Sequence, residues 1–298
     1  MNKLKFSGHE TFVVRNFWPK KGYDFIINGG NFNADEAVVE LGVGRNMVTS
    51  INFWMKALGL VDEKNGTPTQ IANFLFGKNG VDPYLEDIAS IWLLHYYLVK
   101  TDFSTIYQSV FNHFRKERAS FKKSQLKAFI KRLYAEANDN RFNESTIDKD
   151  ISVFCRLYNT PNFREIKKDY EDEVSGLMLE LSLLHSTIES TDGEKGKKKV
   201  EWFHLTAKSR KSLPYIITLF SILDQHEKSK SISFRRLEVE ENSPGMVFLL
   251  NKDGLYEQLK EIEQNVDGTQ LNESQGNINL ILPENLDKWQ LLKDYYAN

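Results

Sequence analysis

The sequence predicts a mainly α-helical fold with small β-hairpins, an α+β arrangement of tandem winged helix-turn-helix units. Three observations carry this prediction. Residues 33–61 read as a helix, a tight glycine turn and a second helix. A helix–loop–helix pattern returns over residues 121–158, ahead of two strand-like stretches joined by a charged loop. Near the C-terminus an amphipathic helix precedes alternating apolar and polar residues around a Ser-Gln-Gly turn, which is a hairpin pattern.

In the first stretch, Asn33 or Asp35 is placed to cap a helix, because a short polar side chain accepts the orphan N–H groups of a first turn. Ala37, Val38 and Leu41 give that helix its apolar face. Gly42 ends it, and Gly44 permits a second unusual backbone angle. Val48, Ile51, Met55 and Leu58 then form the buried stripe of a second helix, which Gly59 stops. Asn65-Gly66 is a turn signal, but Thr67-Pro68-Thr69 starts a new helix almost at once, so any wing here is stunted. Residues 84–99 predict a strongly apolar central helix, and 103–118 a further helix with a basic end.

The second unit predicts a helix capped by Ser124 and another opened by Ser145 or Thr146, the latter carrying Ile147, Ile151, Phe154 and Leu157 inward. Residues 180–189 and 200–206 read as strands, with 190–199 (STDGEKGKKK) as the loop between them. The third unit predicts a helix over 212–226, a Ser-Pro-Gly turn at 243–245, and a helix placing Leu255, Leu259 and Ile262 inward. The terminal hairpin and a last helix follow. These readings divide the chain into 1–118, 119–211 and 212–298.

Composition sets limits. The 298 residues are 41% hydrophobic and 27% charged, as for a globular protein. A formal net charge of −2 gives no global basic field, so nucleic acid must be met through local patches. One cysteine, Cys155, excludes an intramolecular disulfide and a cysteine-rich zinc module. The N-terminus has no apolar run of a signal peptide, and SIWLLHYYLV (90–99) is too short to span a bilayer. A cytoplasmic protein without a membrane partner is expected.

The motifs favour docking over chemistry. The glycines at 42–44 lack the preceding strand of a nucleotide loop. His95 lies between apolar neighbours and reads as a satisfied core histidine. His9 and Glu10, within SGHET, are the candidate metal or catalytic pair, with Asp82, Glu86, Asp87 and His95 as further candidate ligands; the alternative is that the SGHET cluster fastens the N-terminal segment. No HExxH, GxSxG or paired-carboxylate motif is present, so neither enzyme activity nor a cofactor is expected. The helix at 45–58 is the candidate recognition helix. Arg45 and Asn46 suit guanine and adenine edges, and Thr49, Asn52 and Lys56 continue its polar face. Phe53 and Trp54 widen its apolar arc and argue for cover on two sides. Lys197, Lys198 and Lys199 stand at the tip of the expected hairpin, where a wing would meet phosphate. Other basic clusters, among them Arg115-Lys116-Arg118 and Arg235-Arg236, each read alone as solvated surface.

FSGHETF near the N-terminus, LGVGRNMVTSINFWMKALGL, and DPYLEDIASIWLLHYYL together resemble a bacterial family catalogued as domain of unknown function 4007. The resemblance is strongest over residues 6–100 and includes the Ser-Pro-Gly turn. It implies a setting beside phage-defence or DNA-modification genes, including those for phosphorothioation, and supplies no catalytic residue. The expected function is double-stranded DNA binding, as a transcriptional regulator or the recognition component of a defence system. The alternative is a scaffold that docks a modification or restriction enzyme.

Overall fold

A computed structural model describes residues 4–159, 176–193, 196–227, 229–274 and 276–297, with side chains omitted at 191–193 and 196–198. The architecture is α+β: mostly helix, with two small three-stranded antiparallel sheets.

The first stretch places α1 (Trp18–Ile27), α2 (Ala37–Leu41) and α3 (Arg45–Ala57) around a small core of Phe25, Ala37, Leu41 and Val48. Gly42 takes the left-handed conformation (φ 60°) that ends α2, as its sequence position predicts. Gly44 differs: it is extended and serves as the N-cap of α3. Neither Asn33 nor Asp35 caps α2; the cap residue is Glu36, and Asp35 is drawn into an ion pair with Arg45 instead. After α3, Val61 and Pro68 form one antiparallel bridge, so the hairpin is as short as Pro68 forces it to be. Helix α4 (Gln70–Phe76) follows directly.

Helix α5 (Ile88–Lys100) is the centre of the molecule. Asp87 caps it by accepting from the Ala89 N–H. Its faces reach all later parts of the chain: Trp92 Nε1 donates to the Ser212 carbonyl at 2.9 Å and the Tyr96 hydroxyl to Asp224 at 2.7 Å. His95 meets the Tyr158 hydroxyl at 2.8 Å and the Val247 carbonyl at 2.9 Å, and is the satisfied core histidine that its neighbours imply. One hydrophobic core therefore runs through all three stretches. Among the described residues no helix is long and apolar enough to cross a membrane.

The predicted helix at 103–118 is three pieces: α6 (Thr105–Ser109), a π-helical turn over Val110–Phe114, and α7 (Arg115–Glu117). Strand β1 (Ser120–Phe121) leads into α8 (Lys123–Glu136) and α9 (Glu144–Tyr158). Asn143, ahead of the predicted openings at Ser145 and Thr146, caps α9 through the Thr146 N–H at 2.9 Å. Strands β2 (His185–Gly193) and β3 (Gly196–His204) form the hairpin, and β1 pairs with β3, giving the order β1-β3-β2. The charged stretch 190–199 is thus mostly strand, not loop.

The last part repeats this plan. Helix α10 (Tyr215–Gln225) is followed by β4 (Ser231–Ser233), α11 (Phe234–Val239), α12 (Pro244–Val247) and α13 (Lys252–Asn265). Strands β5 (Gln270–Ser274) and β6 (Asn277–Ile281) come next, and the sheet order is β4-β6-β5. The Ser-Pro-Gly turn is the start of α12, because Pro244 fits a first helical turn. Helix α14 (Lys288–Ala297) closes the chain against α10, with Lys288 paired to Asp224 at 2.8 Å.

Candidate nucleic-acid interface

The predicted recognition helix divides into an open and a covered half. Arg45, Asn46 and Thr49 are exposed at its N-terminal end, whereas Asn52 and Lys56 are half-buried. Phe53 and Trp54 are buried, so the C-terminal half is covered as their size implies. Phe53 packs edge-on to His9, and Trp54 Nε1 donates to the Phe12 carbonyl at 3.1 Å. The N-terminal segment, absent from any reading of the helix alone, supplies this cover.

Arg45 is held rather than free. Its guanidinium donates to the Ala34 carbonyl at 2.8 Å and pairs with Asp35. Glu36, which caps α2, and Glu40 within it are exposed. The Thr49 hydroxyl donates to the Arg45 carbonyl. The open face of α3 is therefore polar and close to neutral.

The lysine run lies along β3, where Lys197, Lys198 and Lys199 pair in register with Asp192, Thr191 and Ser190. Lys199 is exposed; the side chains of Lys197 and Lys198 lie outside the described residues, as does the hairpin tip at 194–195. The expectation that these lysines crown a loop is corrected, because antiparallel pairing extends to Gly193 and Gly196.

The His9–Glu10 pair separates. His9 is buried, its Nε2 2.7 Å from Asp150 Oδ1, while the Thr11 N–H donates to Nδ1. Both ring nitrogens are thereby used. Ser7 N–H also donates to Asp150, at 3.0 Å. Glu10 points to solvent. Ser7, Glu10 and Thr11 all have positive φ, so this segment is bent tightly around the His9–Asp150 contact. Its geometry is that of a fastening of the N-terminus onto α9. Cys155 is equally inert: burial pushes its thiol up to about 12.

Sequence reading missed a third feature. Arg115 and Lys116 on α7, Arg235 on α11 and Lys252 at the start of α13 line one groove. Arg115 is positioned by donating Nη1 to the Gly245 and Met246 carbonyls at 2.9 and 3.1 Å. Arg210 is buried nearby, its guanidinium pushed down to about 10 by desolvation and then by the charge of Arg115. The groove continues past Arg235 and Lys252 to Gly276, Asn277 and Asn279 at the β5–β6 turn. No linear motif signals it, because its cations come from positions more than a hundred residues apart.

Two solved structures resemble this chain over nearly its full length. They are SspB and magnesium ion-bound SspB, each with a TM-score of 0.82 and 28% identity, covering 99% of this chain and 88% of the other. No curated protein matches. The pattern of a protein of unknown function, DUF4007, matches residues 6–296. The N-terminal fastening, α3, the central helix and both sheets all fall inside that match, and the chain belongs to the DUF4007 family.

Proposed function

We propose that this chain is a cytoplasmic, non-enzymatic DNA-binding protein made of tandem winged-helix units. In the setting the family resemblance implies, it acts as a transcriptional regulator or as the DNA-recognition component of a defence or DNA-modification system. One observation supports this above others. Twice the chain runs from a strand through helices to a hairpin, two helices in the first case and three in the second, and twice the first strand pairs with the last: β1-β3-β2 and β4-β6-β5. That is the strand order of a winged helix. Helices α1 to α3 with the Val61–Pro68 bridge make a third, reduced version.

The test is binding of the full chain to duplex DNA at several salt concentrations. Neutralised phosphates release counterions, so affinity falls steeply with salt if the reading holds. A flat response, or no binding at low salt, counts against it. Arg45→Ala should relax sequence preference, since a bidentate arginine discriminates bases by about 1–3 kcal/mol.

A second reading, docking of a partner protein, draws on the face of α2 and α3. Arg45 is tied to Asp35, and Val39 stands 83% exposed beside Glu36 and Glu40. Co-purification with a modification enzyme that survives nuclease treatment favours this reading over the first. One similar structure is magnesium ion-bound. Among the described residues here, no group of three or more His, Cys, Asp or Glu side chains is placed to hold a metal ion, and no metal step is assigned.

A further inference from the structure

We infer that the groove lined by Arg115, Lys116, Arg235 and Lys252 is the main phosphate-backbone contact for double-stranded DNA, binding it without reading sequence. The inference rests on the DNA-binding reading and names the surface that performs it. Sequence reasoning points to α3 and the β2–β3 hairpin; the geometry points elsewhere.

Charge decides between the surfaces. At α3 the one arginine is neutralised by Asp35, with Glu36 and Glu40 exposed alongside. In the groove four cations face one carboxylate, Glu238, which is mostly buried and pairs with Arg235 at 3.1 Å. Lys116 and Lys252 are exposed, and neither makes an ion pair among the described residues. Arg115 spends Nη1 on two carbonyls, leaving its outer guanidinium edge for an anion. Phosphate is the anion that suits a row of such groups, because it rewards planar arginine forks and point-charge lysines alike.

Position supports the same conclusion. Lys252 opens the 14-residue helix α13, whose first-turn N–H groups put positive potential at the groove, reduced by the Asn251 cap on the Gly254 N–H and by Asp253 in the same turn. The adjoining β5–β6 turn extends the track from Lys116 to Asn279. Asp253 in the first turn of α13, and Glu257 and Glu261 further along it, are exposed. Those carboxylates oppose entry of the helix body into a major groove, which is walled by phosphates. The contact is therefore to backbone, at the end of α13, and sequence-independent.

The experiment is fluorescence anisotropy of the full chain on two unrelated 25-base-pair duplexes, from 50 to 200 mM KCl. The variants are Lys116→Ala/Lys252→Ala and Lys116→Glu/Lys252→Glu, both at exposed positions, with thermal melts as the folding check. Each lost contact removes about 0.9 from the slope of log affinity against log salt. The double alanine variant should flatten the slope by about two and weaken binding roughly 60-fold at 0.1 M salt, equally on both duplexes. The double glutamate variant should abolish binding. If the unmodified chain binds with a steep slope and both variants match it, the groove assignment is overturned while the DNA reading stands. If the unmodified chain binds no duplex at 50 mM KCl, both fall together.

Discussion

Replacing His95 by glutamine should remove about one proton from the acid destabilisation of this protein. His95 is fully buried on α5, and burial is the main cause that pushes it down to about 4 from an ordinary 6.5. The charge of Arg210 adds to the depression, and the hydrogen bond to Val247 opposes it. The Val247 carbonyl can only accept, so Nε2 carries the proton and Nδ1 accepts from the Tyr158 hydroxyl. As pH falls, the unfolded chain protonates near 6.5 while the folded chain resists until about 4. The stabilising difference is complete above pH 6.5, shrinks between 6.5 and 4, and is constant below. At pH 4.5 the loss is about 2.5 kcal/mol, from 1.36 kcal/mol per unit. Glutamine keeps a donor for Val247 and an acceptor for Tyr158 but does not titrate. Urea unfolding of both proteins at pH 7.5 and 4.5 gives the comparison. His185 and His226 are also shifted down, by burial first, and act in the same window, but they are common to both proteins and cancel. An equal loss of stability in both proteins between those pH values refutes the assignment.

Other consequences follow from single positions. Gly42→Ala keeps a φ of 60° that only glycine adopts freely; its Cβ meets nothing within 4 Å, so the cost is backbone strain of about 1 kcal/mol, read as a lower unfolding midpoint. Leu41→Ala removes one of four residues in the small α1–α3 core and should cost about 2–5 kcal/mol, visible as early loss of amide-exchange protection in residues 37–57. Asp150→Ala strands the buried His9 and the Ser7 N–H, and should expose residues 4–17 to limited proteolysis before the rest of the chain unfolds.

The legible parts of the fold were those specified by local chemistry. Gly42 ends α2 because its conformation is local, and the stripe of Val48, Ile51 and Met55 marks α3 because its period is helical. The 270–281 hairpin was readable from its alternation. The β2–β3 register was not: the lysine run looks like a loop, and only nine paired positions hold it as strand. The caps at Glu36 and Asn143 also differed from expectation, because which polar residue caps a helix depends on competing partners such as Arg45 for Asp35. The candidate site was the least legible part. Its cations sit at 115, 116, 235 and 252, and the packing that joins them runs through Arg115 and the carbonyls of Gly245 and Met246.

That long-range assembly also explains how a chain of net charge −2 can present a cationic surface. At 0.1 M salt the screening length is about 10 Å, so a phosphate in the groove responds to the charges lining it and little beyond. The acidic residues on the outer face of α13 and those beside α3 lower the total without reaching every part of the surface. Overall charge limits non-specific attraction at long range, while the local excess of four cations over one carboxylate sets the contact energy. On the proposed reading, such an arrangement meets nucleic acid only where the groove itself touches it. The salt slope should therefore respond to Lys116 and Lys252 and remain unchanged when an equal number of lysines is removed from another face.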